Sequence, residues 1–561
     1  MVNLKMRIYF LTILLALNLA GLAQTKTAFS NETGEYALLL KQLENRMMSY
    51  QEKWIDTLGG KQRNVFVPWI RDHVHVMKAM KYLHPDMKSF IEFYLENQTN
   101  EGLYFDYYFP LSNEGIGHRM KIFDKRYWKI LPEDKIQMHR LPVEADLEYL
   151  LVEGVYNVWQ STGDTAFVKK WLPTLVKGIN YSMTDPLRWS KKYQLVKRGY
   201  TLDTWDFMQL PVSRAEYTSN GGDIQKGIFD IDEKTPMGVM HGDNSGMYAA
   251  CNQLSKMFKV TGDQKESEVW KEQANNFRKR TNELCWNGKF YAHFIEDDPQ
   301  PSYLKMDQKN TLSLSNPYDI NRGLPTEQMA ESIINTYKNL KESNKANSFA
   351  EWYGVYPAVQ PHFADYKPGS YMNGGVNTIV AGELAKAAFQ HGYESYAIDI
   401  LQRIMKLVKE HNGDLPVAYT PDGKVDEGIP DNWGQAAVYS ALIEGLAGIV
   451  DKSTQFRSVE ISPRWITVGK DNAEVTVAYG PTSKSIGYKY SHDKKRKEIE
   501  LVVNGNPDTC TVRILLPENI KIAKATLNGG QAISKIEQLN KSFYAVIKDI
   551  TKKNIDVIVT Y

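Results

Sequence analysis

Residues 199–209 read Gly-Tyr-Thr-Leu-Asp-Thr-Trp-Asp-Phe-Met-Gln, which sets two carboxylates, Asp203 and Asp206, among the rings of Tyr200, Trp205 and Phe207. An acid next to an indole suits chemistry on sugars. The flat apolar face of Trp can receive a pyranose ring, and the same apolar wall disfavours the carboxylate anion, so that the acid can hold a proton near neutral pH. A purely architectural reading competes with this one, in which Trp205 and Phe207 are core and the Asp side chains cap a helix. Ala350-Glu351-Trp352-Tyr353-Gly354 repeats the pattern of an acid among rings.

Two histidine pairings invite a metal reading, His73-Val-His75 and His241-Gly-Asp243. Side chains two apart do not share a helix face, and no third ligand follows at a suitable spacing, so no metal or other cofactor is expected for catalysis. Loop oxygens leave room for a structural calcium ion. The cysteines, Cys251, Cys285 and Cys510, are too scattered for a disulfide framework or a metal cluster. The net charge is +2, and no basic stripe marks a nucleic-acid partner. The run Asp493-Lys-Lys-Arg-Lys497 reads as a solvated hairpin turn. Aromatic residues make up 12% of the chain, with 33 Tyr and 12 Trp, a surplus that fits stacking on sugars and large helical cores alike.

The elements that must position these residues are mostly helical. Lys5 and Arg7 precede an apolar run over 8–19, too short to span a membrane, and Ala20-Gly-Leu-Ala23 follows as a cleavage pattern. This predicts a signal peptide over 1–23, a mature start at Gln24, export without a membrane anchor, and a periplasmic address in a Gram-negative host. From about 36 to 450 apolar residues recur at helical period. Helices are predicted over 37–58, from near His73 to 84, and over 86–97. A hairpin over 145–162 and 165–183 turns at Thr162-Gly163-Asp164. The same word returns at Thr261-Gly262-Asp263 between 244–260 and 267–284, and His391-Gly392-Tyr393 joins 377–390 to 394–410. Recurring helix–turn–helix units signal a stacked helical array. The spacing gives about six hairpins, with the long aromatic loops falling between them and gathering on one face if the array closes. After Asp451 strand-like runs take over at 474–479, 485–490, 498–503, 511–516 and 555–559, with turns at Asn504-Gly505 and Asn528-Gly529. The expected architecture is mainly α. A toroid of six helical hairpins, (α/α)6, occupies 24–453, and a small antiparallel β-sandwich packs on it over 454–561, in a monomer.

With these features in place the chain resembles the six-hairpin toroid glycoside hydrolases, among them glucoamylases, trehalases, processing α-glucosidases, amylo-1,6-glucosidases and α-L-rhamnosidases. The likeness covers about 64–450. Trp69-Ile-Arg71-Asp72 is similar to the Trp-x-Arg-Asp entry to an early helix of these enzymes. Glu144-Ala-Asp146 with Tyr156 and Thr162-Gly163-Asp164 is similar to their second hairpin. Trp205-Asp206-Phe207 matches the Gly-Trp-Asp-Phe signature of trehalases and processing α-glucosidases, except that Thr204 replaces the Gly. Tyr371-Met-Asn373-Gly374-Gly375 resembles an Asn-Gly-rich loop, and Asp431-Asn-Trp433-Gly-Gln-Ala-Ala437 the lead into the last inner helix. The rhamnosidase run with Arg-x-Glu-Arg and Gly-Trp is absent.

The resemblance implies an oligosaccharide or polysaccharide substrate, a blind cavity that releases one terminal sugar per event, and Asp206 as general acid. A second carboxyl must activate water or attack carbon. A separation of about 6.5–9.5 Å inverts configuration and about 5–5.5 Å retains it; inversion is expected here. At the family's usual base position stands Val417, which takes no proton. The candidates are Glu427, in the loop where the base is expected, Glu351 on its aromatic surroundings, and Asp414 and Asp431 beside the same loop. Arg71, Asp72, Glu144, Asp146 and Asp243 are implied hydroxyl binders, with Asn373 in the Asn-Gly loop. Trp69, Trp205, Trp352 and Trp433 are candidate stacking platforms. Two readings from other classes remain: a polysaccharide lyase on the same toroid, working with a Tyr or His base, and a catalytically inactive carbohydrate-binding protein.

Overall fold

The structure, a computed structural model, describes residues 25–51, 55–111, 125–205, 219, 231, 235–297, 306–345, 347–363, 366–427 and 432–561. The segment 1–23, expected to be a signal peptide, Asp206, Phe207 and Asp431 lie outside the described residues, and of Glu427 only the main chain is described.

Twelve α-helices are present among the described residues: α1 (Glu35–Gln51), α2 (Ile70–Met80), α3 (Ser89–Glu96), α4 (Leu147–Thr162), α5 (Thr165–Thr184), α6 (His241–Thr261), α7 (Gln264–Cys285), α8 (Ser315–Arg322), α9 (Glu327–Ser343), α10 (Thr378–Gln390), α11 (Glu394–Glu410) and α12 (Trp433–Ser440), the last continuing as a π-helical turn over Ala441–Leu446. The even-numbered helices pack in a cycle. Helix α2 contacts α4, α4 contacts α6, and so on through α8, α10 and α12 back to α2. The odd-numbered helices form the outer layer, α5 on α4, α7 on α6, α9 on α8 and α11 on α10. This is a closed ring of six hairpins.

Burial patterns explain the two layers. Inner helices are buried nearly all round, as in α10 and α12, whereas α7 and α9 bury a single stripe. The hairpin turns are built as their sequence predicts. Gly163 ends α4 with φ 68, which only glycine adopts without strain, and Asp164 then caps α5 by accepting the Phe167 N–H at 2.9 Å. Asp263 repeats the cap on α7 at 3.0 Å. Close packing inside the ring depends on small residues. A Cβ added at Gly382 of α10 would lie 2.5 Å from the Ala437 carbonyl carbon of α12. Gly382→Ala is therefore expected to destabilise the protein by about 1–3 kcal/mol through overpacking, against the ~1 kcal/mol that Ala gains in a helix. A raised melting temperature in this variant would contradict that packing.

Two sheets follow the ring. One has seven strands in the spatial order Ala28–Phe29, Asn472–Ala478, Ser485–Asp493, Glu498–Asn504, Ile555–Thr560, Lys524–Leu527, Gly530–Gln531. The other has five, Ile449–Asp451, Ser458–Ile461, Thr509–Leu515, Ser542–Ile550 and Lys535–Leu539. Every ladder in the two sheets is antiparallel but one, since Ser458–Ile461 runs parallel to Thr509–Leu515. The strand Ala28–Phe29 is not foreseen in the sequence. It ties the start of the described chain to Asn472–Ala478, with Thr27 Oγ1 donating to the Ala478 carbonyl at 3.1 Å.

The sheets sit under the hairpin turns. Gln455 Nε2 donates to the Thr162 carbonyl, Thr482 Oγ1 to the Ser161 carbonyl, and Asn540 Nδ2 to the Gly392 carbonyl. Glu394, at the start of α11, accepts from Ser542 and Tyr544. Toward this end the bore of the ring is filled by Lys81, Lys386, Glu444 and Gln160, with Lys386 Nζ 2.5 Å and Lys81 Nζ 3.6 Å from Glu444 Oε. The N-termini of the inner helices and the long loops occupy the opposite end.

Candidate active site

Each inner helix brings polar residues to this open end in its first turn or just before it: Arg71 and Asp72 on α2, Asp146 before α4, His241 and Asp243 on α6, Ser315 on α8, Asn377 before α10, and Asn432 and Trp433 at the start of α12. Helix N-termini point their free N–H groups and positive dipole ends the same way, which suits a cluster of carboxylates.

That cluster is buried and held by two guanidiniums. Arg71 lies with Nε 2.8 Å from Asp146 Oδ2 and Nη2 3.3 Å from Glu144 Oε1. Glu144 also accepts the Leu141 N–H at 3.1 Å. Arg198 places Nη1 3.2 Å from Asp243 Oδ1 and donates from Nη2 to the Trp205 carbonyl at 2.6 Å. The main chain just ahead of Asp206 is thereby pinned. Burial raises the Asp146 pKa, but Arg71 and Arg198 outweigh it and leave it below the ordinary value. Asp243 goes the other way. Burial, helped by the neighbouring Asp146 and Asp203 charges, overcomes Arg198 and Arg71 and lifts its carboxyl from 3.8 to about 6. Among the described residues its Oδ2 is buried with no hydrogen-bond partner, as is the indole N–H of Trp205. An acid oxygen and an indole N–H that no described residue bonds are what a sugar hydroxyl could satisfy.

Rings line the same end. Trp205 lies parallel to Trp433 with centroids 6.2 Å apart, and Tyr371 meets Trp205 edge-on at 5.5 Å. Trp433 is covered on its other face by His75 at 4.2 Å and donates from its indole N–H to Tyr318 Oη at 2.5 Å. Trp433 is thus packed between rings, while Trp69, half-buried ahead of α2, keeps part of its surface open. Trp352 is wholly buried beneath the Arg403 guanidinium, 4.5 Å from its ring.

Several residues singled out in the sequence have other employment. Glu351 is bound through both oxygens to the outer helix α11, by Arg403 at 2.8 and 3.0 Å and by Tyr396 Oη at 2.5 Å. Asn373 staples its own loop, donating to the Val359 and Tyr366 carbonyls and accepting the Val359 N–H at 2.7 Å. Asp414 pairs with Arg46 of α1. The main chain of Glu427 ends a strand, Val425–Glu427, opposite Ala418 in the small sheet that leads into α10. His73 accepts the Phe66 N–H and stacks on its ring, whereas His75 stacks on Trp433. Sequence reasoning missed Arg198. Its place one residue ahead of the 199–209 stretch was the available signal.

No family model matches the chain, and no curated protein matches it. Solved structures do match in shape. An α-L-rhamnosidase from Dictyoglumus thermophilum superposes with a TM-score of 0.55 at 12% identity, over 96% of this chain and 51% of that one. The rhamnosidase of Bacillus sp. GL1 gives 0.55 at 13% identity over 88% and 43%. That of Streptomyces avermitilis gives 0.53 at 11% over 96% and 42%. The chain shares the six-hairpin ring fold of these structures. It spans about half the length of these rhamnosidases or less, and identity at this level speaks for the fold alone. The mainly α ring with appended sheets, read from the sequence, is the architecture found.

Proposed function

We propose that the protein is an exported glycoside hydrolase that removes a terminal sugar from an oligosaccharide or polysaccharide with inversion of configuration. What supports this reading is the buried acid Asp243, with a raised pKa and an Oδ2 that no described residue bonds, joined through Arg198 to the main chain of Trp205 at the open end of the ring. Asp206, directly after the pinned Trp205, is assigned as the acid that protonates the leaving oxygen. Glu427 is the first choice for the base that activates water. Arg71, Asp72, Glu144, Asp146 and Asp243 are assigned to sugar hydroxyls, with Trp69 and Trp205 as apolar faces.

A lyase would need a cation to neutralise a uronate carboxylate. Both guanidiniums of the cluster are already matched by Glu144, Asp146 and Asp243, which favours a neutral sugar and hydrolysis. The test is a panel of oligosaccharides with different terminal sugars, followed by proton NMR at early times. Release of one sugar in the inverted configuration supports the proposal. An unsaturated product absorbing in the ultraviolet would replace it with the lyase reading, and binding without turnover with that of an inactive sugar-binding protein.

A further inference from the structure

Asp203, three residues ahead of Asp206, is held far more tightly than a loop aspartate needs to be. It is buried and adopts φ 54, a left-handed conformation uncommon outside glycine, Asn and Asp. Its carboxylate accepts from Ser315 N at 2.9 Å and Ser315 Oγ at 2.6 Å, at the start of α8, and from Thr204 N at 2.6 Å. Its own N–H donates to His293 Nε2 at 2.7 Å. His293 therefore carries its proton on Nδ1, which donates to Gln308 Oε1 at 2.6 Å, and Gln308 in turn donates to Tyr200 Oη. Burial lowers the His293 pKa, consistent with a neutral ring.

His241, on the other side, is in the opposite state. Its Nδ1 lies 2.5 Å from Asp319 Oδ2 on α8, and its Nε2 lies 2.9 Å from Ser313 Oγ and 4.0 Å from Asp203 Oδ2. A neutral imidazole donates from one nitrogen only, whereas the imidazolium serves acceptors on both sides. The groups facing it are Asp319, Ser313, Asp203, Asp243 and the neutral His293, with the Tyr291 ring stacked at 5.6 Å. Burial opposes the charge, but Asp319, Asp203 and Asp243 outweigh it and hold the His241 pKa above its ordinary value.

We propose that His241, as an imidazolium between Asp319 and Asp203, is a positioning residue that locks the segment ending in Trp205 onto α6 and α8, so that loss of its proton sets the alkaline limit of activity. When it deprotonates, Asp203 and Asp319 lose their shared cation, a costly state for buried carboxylates. The segment that leads into Asp206 is then released. The sign follows from the raised pKa: this contribution is fully present below the unfolded-state value near 6.5 and is lost as pH rises through the folded-state value. The inference rests on the hydrolase reading for its activity arm and on geometry for its structural arm.

The experiment compares wild type, Asp319→Asn and Ser313→Ala by kcat and kcat/KM against pH, and by NMR of the ring-labelled histidines, with His241 assigned by the signal lost in His241→Gln. The expected result is one shared midpoint in wild type for the His241 titration and the alkaline limb, with both moving down together by about one pH unit in Asp319→Asn. Ser313→Ala, which leaves both carboxylates in place, should move them the same way by less, and it carries the test if the Asn variant does not fold. A limb that stays put while the imidazole titration moves overturns the positioning role and leaves the hydrolase reading standing. An imidazole already neutral at pH 5.5 overturns the imidazolium. Wild-type protein that hydrolyses nothing overturns the hydrolase reading and the assignment of the limb with it.

Discussion

Replacing Arg198 by methionine is expected to cost the fold about 3–5 kcal/mol and to abolish activity. Arg198 is wholly buried, and its guanidinium is bound both to Asp243 and to the carbonyl of Trp205. Removing one partner of a buried pair leaves the other charge uncompensated, which is the costly case. The double variant Arg198→Met/Asp243→Leu removes both charges and should recover most of the lost stability, because well-packed apolar replacements of buried ion pairs are often neutral. It should recover none of the activity, since the pin on Trp205 and the acid are both gone. Denaturant unfolding of the two variants beside wild type checks this. A cost below about 1 kcal/mol for the single variant would mean that the pair is not buried as described.

Asp243→Asn is expected to change how stability depends on pH. The Asp243 carboxyl titrates near 6 in the folded chain, above its ordinary 3.8, because burial and the Asp146 and Asp203 charges outweigh Arg198 and Arg71. Well below pH 3.8 the group is neutral in both states. Between pH 4 and 6 the unfolded chain ionises first, so this group withdraws up to about 3 kcal/mol of stability from the fold as pH rises. The Asn side chain does not ionise. The unfolding free energy of the variant minus that of wild type should therefore rise by about 3 kcal/mol from pH 3.5 to 7. A difference that stays constant over this range would contradict the protonated acid. Activity toward oligosaccharides should fall most above about pH 6, where wild type presents a carboxylate and the variant a neutral amide.

How much of this was legible beforehand differs between the ring and the site. The hairpins could be read because their turns are local chemistry. Thr-Gly-Asp supplies the left-handed stop and the next helix cap within three residues, and α4, α5, α6 and α7 begin and end within three residues of the expected positions. The first helix was read too long. Residues 55–58 form instead the first strand of a hairpin with 61–64, turning at Gly59-Gly60 just past the apolar run. Helices α8 and α9 were not singled out, since α8 is short and its buried Asn316 and Asp319 break any apolar stripe. The strand Ala28–Phe29 was unreadable because its partner lies more than four hundred residues away.

At the site, residue types were informative but partnerships were not. Arg71, Glu144, Asp146 and Asp243 do meet at one end of the ring. Glu351 has the same acid-among-rings signature as Asp206, yet it is spent on Arg403 and Tyr396 of the outer layer. No local pattern foretells this, because it is set by the outer helix that packs on the Glu351 side chain. In the sequence His241 stands beside one acid only, Asp243. Its two carboxylates, Asp319 and Asp203, come from other elements.

The central claim, that this ring carries a glycosidase with Asp206 as its proton donor, is tested most directly by changing the leaving group. Asp206→Asn and wild type are compared on an oligosaccharide, whose departing oxygen needs a proton, and on the corresponding glycosyl fluoride or dinitrophenyl glycoside, whose leaving group needs none. The account predicts that the variant loses about 10²–10⁴-fold on the oligosaccharide, the usual worth of general acid catalysis, while staying within tenfold of wild type on the activated substrate. Equal rates for variant and wild type on both substrates, or an equal loss on both, would contradict it.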